Sequence, residues 1–263
     1  MTCGDILEKL EIDMPLSLAM DWDNPGLLIG DPDGKVKKAV IALDATTEAV
    51  NLAIREKADL ILTHHPVIFS PLKKVVNGDI VGKRIIRMVE HHISCIAMHT
   101  NYDVAPGCMA DIAAGMLGIT GVPLEETGEI SSQKIGIGKT GNLPQEMTLE
   151  ELTRMVKKQF GLPFVTVFGK NVIRNGIRRI SVCPGSGRGM YHLARKQGSD
   201  VLITGDISHH EGLDAAEDGI AVIDAGHYGL EHIFINDMEK RIAGMTEGIE
   251  TVKLAVSFPE EVM

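Results

Sequence analysis

The sequence predicts an α/β protein built from two similar units. Short, apolar, β-branched runs alternate with helical stretches, which is typical of βαβ units with buried and largely parallel strands. Residues 36–65 align without a gap with residues 177–206, and both segments keep Asp and Thr at the same strand ends. Hydrophobic residues make up 44% of the 263 residues, so the chain can bury a substantial core. We therefore expect an internal duplication with mostly parallel or mixed sheets and flanking helices.

Each half is predicted to run strand, helix, strand ending in Thr, helix and strand. In the first half, Thr46-Thr47-Glu48 carries helix-start signals for a helix over residues 49–57. Ile96-Ala97-Met98 matches Ile220-Ala221-Val222 at an offset of 124, whereas the earlier match has an offset of 141. The linker 120–148 is expected to include a strand at 134–139. Any two βαβ units resemble each other, but an ungapped match of this length favours duplication.

Composition and charge exclude several classes of protein. The chain has 26 basic and 36 acidic residues, and its net charge of −10 argues against nucleic acid as a partner. No apolar run approaches the ~20 residues of a membrane-spanning helix, and the first eight residues lack a secretory signal. We expect no membrane association and a cytoplasmic location. The four cysteines are widely scattered, which predicts free thiols in a reducing compartment: Cys3, Cys95, Cys108 and Cys183.

The ten histidines draw attention to three strand ends. Functional groups of α/β folds gather beyond the carboxyl ends of strands. Three predicted strands are followed by polar segments: His64-His65-Pro66, His99-Thr100-Asn101-Tyr102-Asp103, and Ala225-Gly226-His227-Tyr228-Gly229-Leu230-Glu231. These segments are therefore the first candidates for metal ligands.

Their spacing favours a metal site over polar residues that are merely exposed to solvent. A helix beginning near Gly226 places His227 and Glu231 on one face, although a lone pair of this kind more often only supports a helix. The 124-residue offset makes Asp103 equivalent to His227, which favours the metal interpretation. In a turn, His64 and His65 can diverge towards two different ions.

The ligand types then suggest the metal. Three histidines and two carboxylates suit Zn, Fe, Mn, Co or Ni, and five ligands are enough for two ions bridged by a carboxylate.

At this point the motifs resemble the Nif-three-like family, whose members are also called GTP cyclohydrolase I type 2 homologues. The resemblance covers nearly the whole chain. The chain lacks the long central insert of some members and so resembles the short form of the family. It is carried by Leu62-Thr63-His64-His65-Pro66, His99-Thr100-Asn101-Tyr102-Asp103, Gly205-Asp206-Ile207-Ser208-His209-His210, Asp224-Ala225-Gly226-His227-Tyr228-Gly229-Leu230-Glu231, Trp22-Asp23-Asn24-Pro25-Gly26-Leu27 and Pro184-Gly185-Ser186-Gly187.

The resemblance implies two interlinked α/β domains, a toroidal homohexamer and two divalent metal ions per chain. We expect residues 1–126 plus 226–263 to form the domain with most ligands, and residues 127–225 to form the other. By motif position, the implied ligands are His64, His65, Asp103, His227 and Glu231, with Glu231 as the bridging carboxylate. The implied activity is metal-dependent hydrolysis of a small substrate, such as a purine nucleotide, as in a GTP cyclohydrolase.

Several roles stay open at this stage. Asp206 and His209 are candidate catalytic residues for ligand orientation or proton transfer, but His209 equally suits a helix start. His99 suits either the site or the protein interior. The Gly185–Gly189 loop suits either phosphate or a tight turn, and Trp22 suits either a structured turn or stacking on a ring.

Two other functions compete with hydrolysis. The protein could bind and deliver metal without catalysis, or it could be a ring-shaped scaffold that recruits a partner. A ligand set defines a site but not a substrate, so the sequence does not separate hydrolysis from metal delivery.

Overall fold

A computed structural model describes residues 1–173, 175–245 and 248–263. It confirms the predicted class, because two mixed sheets are flanked by helices. The chain divides into two compact units, Met1–Ala105 with Phe234–Val256 and Pro106–Ile233 with Ser257–Met263. These bounds differ from the predicted 1–126 with 226–263 and 127–225, because residues from Gly121 onwards pair within the second sheet. The compact units are defined by contacts, whereas the predicted boundaries are those of folding domains. The domain boundaries therefore stay a prediction.

The first unit contains a five-stranded sheet in the order β1-β4-β3-β2-β11, in which only β1 is antiparallel to its neighbour. Its strands, with labels in chain order, are β1 (Gly26–Ile29), β2 (Lys38–Ala42), β3 (Leu60–Thr63), β4 (Ser94–Ala97) and β11 (Glu250–Lys253). Its helices are α1 (Cys3–Asp13), a 3-10 turn (Leu16–Leu18), α2 (Thr47–Glu56), α3 (Ile80–Glu90), α4 (Thr100–Val104) and most of α10 (Ile233–Met245).

Local sequence explains these elements. Every residue of β3 and β4 is buried, as expected for parallel strands covered on both faces. The predicted helix at 49–57 is α2, which begins after the N-cap Thr46 and ends at Lys57 in a left-handed conformation. Asp79 caps α3 in the same way.

The second unit contains a six-stranded sheet in the order β5-β6-β8-β9-β10-β7, in which β8, β9 and β10 are parallel. Its strands are β5 (Gly121–Ile130), β6 (Gln133–Met147), β7 (Thr166–Phe168), β8 (Ile177–Ser186), β9 (Val201–Gly205) and β10 (Ala221–Asp224). Its helices are α5 (Met109–Met116), α6 (Leu149–Gln159), α7 (Met190–Lys196), α8 (His209–Glu217) and α9 (His227–Glu231).

The duplication is visible in matching hydrogen bonds. The Asp59 carboxylate accepts the backbone N–H groups of Lys37 and Lys38 at 2.7 and 3.1 Å. The Asp200 carboxylate accepts those of Arg178 and Arg179 at 2.9 and 3.0 Å. All three positions in each set are related by the offset of 141. The Asp residues at the strand ends therefore fix the start of β2 and β8 and are structural.

The predicted offset of 124 for the third strand is wrong. Thr63 pairs with Ala97 in the first sheet, and the equivalent Thr204 pairs with Asp224 in the second. Ala97 therefore corresponds to Asp224, an offset of 127. Helices α4 and α9 have five residues each and begin at Thr100 and His227, with the same offset. Short apolar strands look alike in sequence, so a slip of three residues was invisible there.

Both units have their own apolar core. Ile61 lies in the core of the first unit and the equivalent Leu202 in that of the second, and both are fully buried. All four cysteines are buried, and none of them forms a disulfide in the part of the chain that the structure describes. Among the described residues, none of the helices is long and apolar enough to cross a membrane.

Candidate metal centre

His64 and His65 follow β3 in a turn that the backbone of Leu43 holds. The Leu43 carbonyl accepts the N–H groups of both histidines at 3.1 and 3.0 Å. The His64 Nδ1 donates to the Met98 carbonyl at 2.8 Å, and the His65 Nδ1 lies 2.9 Å from the Asp44 carboxylate. Because an Nδ1 donor fixes the tautomer, each ring presents Nε2 as a ligand atom.

The two imidazoles converge, together with His99. One ligand atom from each of His64, His65 and His99 lies within 4.8 Å of the others. The ring centroid of His99 is 5.1 Å from that of His64 and 5.4 Å from that of His65. The turn closed by Pro66 brings the two rings close together, with centroids 4.9 Å apart, and their service to two different ions stays a prediction. His99 joins this group as well.

Asp103 adds a carboxylate to the first unit's cluster. It lies in α4, directly after β4, and its Oδ1 is 3.5 Å from His64 Nε2. His64 is fully buried, whereas the Asp103 side chain is 19% exposed. Three imidazoles therefore gather at the carboxyl ends of β3 and β4, and the Asp103 carboxylate lies beside one of them, His64.

In the second unit, the predicted ligands are His227 and Glu231. They occupy the two ends of α9, and the His227 Nε2 lies 3.0 Å from the Glu231 Oε2, which confirms the predicted common face. The His227 Nδ1 is 2.7 Å from the Asp206 carboxylate. Asp206 has a φ of +53°, a left-handed conformation that Asp tolerates better than most residues. The structure thus places Asp206 where it orients a predicted ligand.

The other residues of this motif lie further along the chain in α8. Ser208 caps that helix by accepting the Glu211 N–H, and His209 is its first residue and is exposed. This is the helix start that the sequence offered as the alternative for His209.

The corrected register changes one argument for these ligands. Because α4 and α9 are equivalent, His227 corresponds to Thr100, and Asp103 corresponds to Leu230. The predicted equivalence of Asp103 and His227 is wrong. The two halves therefore diverged in their ligand positions, and symmetry does not support the ligand set.

The glycine loop after β8 packs against Glu231, one of the predicted metal ligands. A Cβ at Gly185 would lie 2.4 Å from the Glu231 Oε1, and Gly185 has a φ of +76°. Two N–H groups of the loop are already engaged, since Gly187 donates to the Gly205 carbonyl and Gly189 to the Glu211 carboxylate, both at 2.8 Å. These contacts favour the tight turn over the phosphate site.

The sequence reading missed the acceptors that orient the histidines. Asp44 holds His65, and Asp23 holds His99 at 2.7 Å. Asp224 accepts the N–H groups of Ile207 and Gly226, bracing the segments that carry Asp206 and His227. A metal-ligating histidine generally needs an acceptor, and Asp44 lies just beyond the end of β2. Together these two facts were the available signal for Asp44.

The donor set fits divalent transition metals. Imidazole nitrogen and carboxylate oxygen suit Zn, Fe, Mn, Co or Ni, and the orienting carboxylates are those that metal-ligating histidines require. The fold and these clusters define a class: an α/β protein with candidate metal-ligand groups.

A more specific assignment comes from comparison with known proteins. The family model described as Duf34/NIF3 (NGG1p interacting factor 3) matches residues 1–260, and the chain belongs to this family. A protein of Clostridium acetobutylicum named GTP cyclohydrolase 1 type 2 homolog is 35% identical over 240 residues, which cover 91% of this chain and 89% of the relative. The family resemblance is therefore confirmed.

A solved structure agrees with the fold. The crystal structure of a Bacillus cereus protein related to NIF3 superposes with a TM-score of 0.89 at 23% identity, covering 100% of this chain and 99% of that one. A Staphylococcus aureus relative, also named GTP cyclohydrolase 1 type 2 homolog, is 27% identical over 346 aligned positions, covering 90% of this chain and 93% of the relative. Those positions outnumber the residues of this chain, so that relative contains segments without a counterpart here.

Proposed function

We propose that the protein binds two divalent metal ions and is a metal-dependent hydrolase of a small substrate. The proposed ligands are His64, His65, Asp103, His227 and Glu231. One observation carries the proposal: each of the three ligand histidines has its Nδ1 2.7 to 2.9 Å from an oxygen acceptor. Ordinary surface histidines have no need of such orientation, whereas metal-ligating histidines almost always have it.

Each residue has a defined task in this proposal. Bound divalent ions would supply Lewis acidity and lower the pKa of a coordinated water towards ~7. Asp44 and Asp206 keep the rings of His65 and His227 in the ligating tautomer. Asp103 and Glu231 supply negative charge, and for Glu231, which is 3% exposed, a cation would offset the cost of burying a carboxylate. Asp206 and His209 are the proposed groups for proton transfer.

The substrate, assembly and location belong to the same proposal. The name GTP cyclohydrolase 1 type 2 homolog, which relatives carry, supports a purine nucleotide as the substrate. We propose a toroidal homohexamer, following the family resemblance, and a location in the cytoplasm, where cysteines outside disulfides stay reduced. Six chains of 28.5 kDa make about 171 kDa, which sedimentation equilibrium measures directly. A monomer or dimer at cellular concentration would contradict the ring.

Elemental analysis with a substrate panel tests the proposed function. We expect two ions per chain in the purified protein and hydrolysis of at least one nucleotide by the metal-loaded form. Glu231→Gln should lose metal and turnover together, because it removes the proposed bridging charge. Glu217→Gln, at the exposed end of α8, is the matched control and should keep both.

Three results would contradict the proposal. Turnover by a metal-free preparation would exclude metal-dependent chemistry, and one ion per chain would exclude the two-ion site. Bound metal that passes to an acceptor without any turnover would favour the alternative, a metal-delivery protein.

A further inference from the structure

Two large aromatic side chains lie exposed beside the histidine cluster of the first unit. Trp22 is 60% exposed and Phe69 is 51% exposed, and their ring centroids are 5.9 Å apart. Both rings also approach His99, at 6.1 and 6.3 Å between centroids. Burial of either side chain in the core would have been favourable, so their joint exposure at this place calls for an occupant.

The segments that carry these rings are firmly anchored. The buried Asp23 carboxylate accepts hydrogen bonds from His99 and from the backbone and hydroxyl of Thr100. Burial alone would raise the pKa of Asp23, but these hydrogen bonds outweigh it and lower the pKa to about 2. The Asn24 side chain donates to the Ile68 carbonyl at 2.6 Å, which ties the two aromatic segments together. The exposed rings are therefore preorganised, and little entropy is lost when they bind a ligand.

We propose that Trp22 and Phe69 form a stacking site for a planar heteroaromatic ring of the substrate. This stacking site rests on the proposed function, because it assumes that the histidine cluster is where the substrate reacts. It adds the class of that substrate. The two rings are inclined at 53°, so they do not sandwich a ligand. A planar ring stacks on the indole face and meets Phe69 at its edge, which are favoured aromatic geometries.

Charge on the same loop indicates what the ring is attached to. Lys73 and Lys74 follow Phe69 in an exposed segment, in a chain with a net charge of −10. Together they suit an anionic group on the ligand. The ligand class is therefore a planar heteroaromatic ring with an acidic tail, as in a nucleotide.

A second copy of the chain is the competing occupant. The same loop exposes further apolar side chains, Leu72, Val75 and Val76, together with Ile80 at the start of α3. What distinguishes Trp22 and Phe69 from these aliphatic side chains is that both rings lie close to the His99 ring. The contact with the histidine cluster favours a small ligand over a protein surface.

Fluorescence reports directly on this site because Trp22 is the only tryptophan of the chain. The full-length protein, stripped of metal and then loaded with it, is titrated with guanosine, guanosine monophosphate and ribose 5-phosphate. We expect the two compounds with a base to quench the emission and ribose 5-phosphate to leave it unchanged. Guanosine monophosphate should bind more tightly than guanosine, and added salt should reduce that difference.

Variants separate stacking from general apolar contact. Trp22→Leu, followed by equilibrium dialysis, should weaken nucleotide binding about 5- to 150-fold, the range known for removal of one aromatic–base stack. Phe69→Leu keeps the fluorophore and should weaken binding several-fold. Leu72→Ala, an apolar truncation on the same loop, is the matched control and should bind like the parent protein.

Two results would overturn the stacking site. Blue-shifted emission that iodide cannot quench would show that a second copy covers Trp22. Accessible Trp22 without a response to either base-containing compound would exclude the ligand. Metal binding is measured separately: two ions per chain without ligand quenching would overturn the stacking site alone, whereas quenching in a protein that binds no metal would overturn the metal proposal alone.

Discussion

At the scale of single residues, the candidate histidines and Asp206 were predictable, whereas Asp44 and Asp23 were not. His64, His65 and His227 stand at strand ends, where position alone makes them candidates. Their orientation depends on Asp44 and Asp206, which lie 21 residues away from His65 and from His227 respectively. His99 depends on Asp23, 76 residues away. Contacts over such distances are set by the folded chain, so the sequence pointed to Asp206 through its motif but did not reveal Asp44 or Asp23.

Gly185 gives a prediction at this scale. Gly185→Ala places a methyl group against the Glu231 carboxylate in a left-handed conformation, whereas Gly189→Ala meets nothing within 4 Å at a similar φ of +78°. Both variants should lose roughly 1–2 kcal/mol of unfolding free energy from backbone strain. Only Gly185→Ala should also weaken metal binding, by about tenfold or more, the usual cost of disturbing a group next to a metal ligand.

Chemical denaturation and competition with a chelator measure the two effects. Equal metal affinities of the two variants would show that Gly185 is needed only for its backbone conformation.

At the scale of elements, type and order were predictable, and length and register were less so. The strand expected at 134–139 is the first half of β6, which extends over Gln133–Met147 because it pairs with strands on both sides. Both third strands were placed correctly, but the equivalence drawn between them was three residues out of register. Hydrophobic pattern gives the existence of a buried strand, whereas the ends and the register come from the neighbouring strand.

The hairpin between β5 and β6 offers a test at the level of one element. Ser131 and Ser132 connect the paired residues Ile130 and Gln133, and both have positive φ, at 49° and 68°. Turns with two such residues strongly prefer Asn-Gly. The double change Ser131→Asn with Ser132→Gly should therefore raise the unfolding free energy by roughly 1 kcal/mol, as measured by urea denaturation.

The control for the hairpin is the double alanine variant at the same two positions. It removes the hydroxyl groups without relieving the conformation and should not stabilise the protein. A gain as large as that of Asn-Gly would assign the effect to the lost hydroxyl groups.

At the scale of the whole molecule, the duplication was the most reliable inference. It depended on Asp59 and Asp200, which turn out to perform the same hydrogen bonding in both units. The resemblance to the family was likewise confirmed over residues 1–260. The ligand set, the ring and the substrate are properties of bound ions and other molecules, and no pattern within one chain determines them.

Replacing Asp59 or Asp200 should lower the stability of one sheet only. Asp59→Ala should reduce hydrogen-exchange protection in β2 and β3, because it removes two hydrogen bonds worth about 1–3 kcal/mol in total. Asp200→Ala should reduce protection in β8 and β9 by a similar amount. Because each unit has its own sheet and core, each variant should leave the other unit's amides unchanged. Equal losses in both sheets would show a single cooperative unit.

The position of β11 has a consequence for synthesis on the ribosome. The strands of the second sheet lie between Gly121 and Asp224, so that sheet has all its strands before the chain ends. The first sheet lacks its edge partner for β2 until Glu250–Lys253 has left the exit tunnel. The sheet that is begun first is therefore completed last, and during translation the exposed edge of β2 is the surface that a nascent-chain chaperone would need to protect.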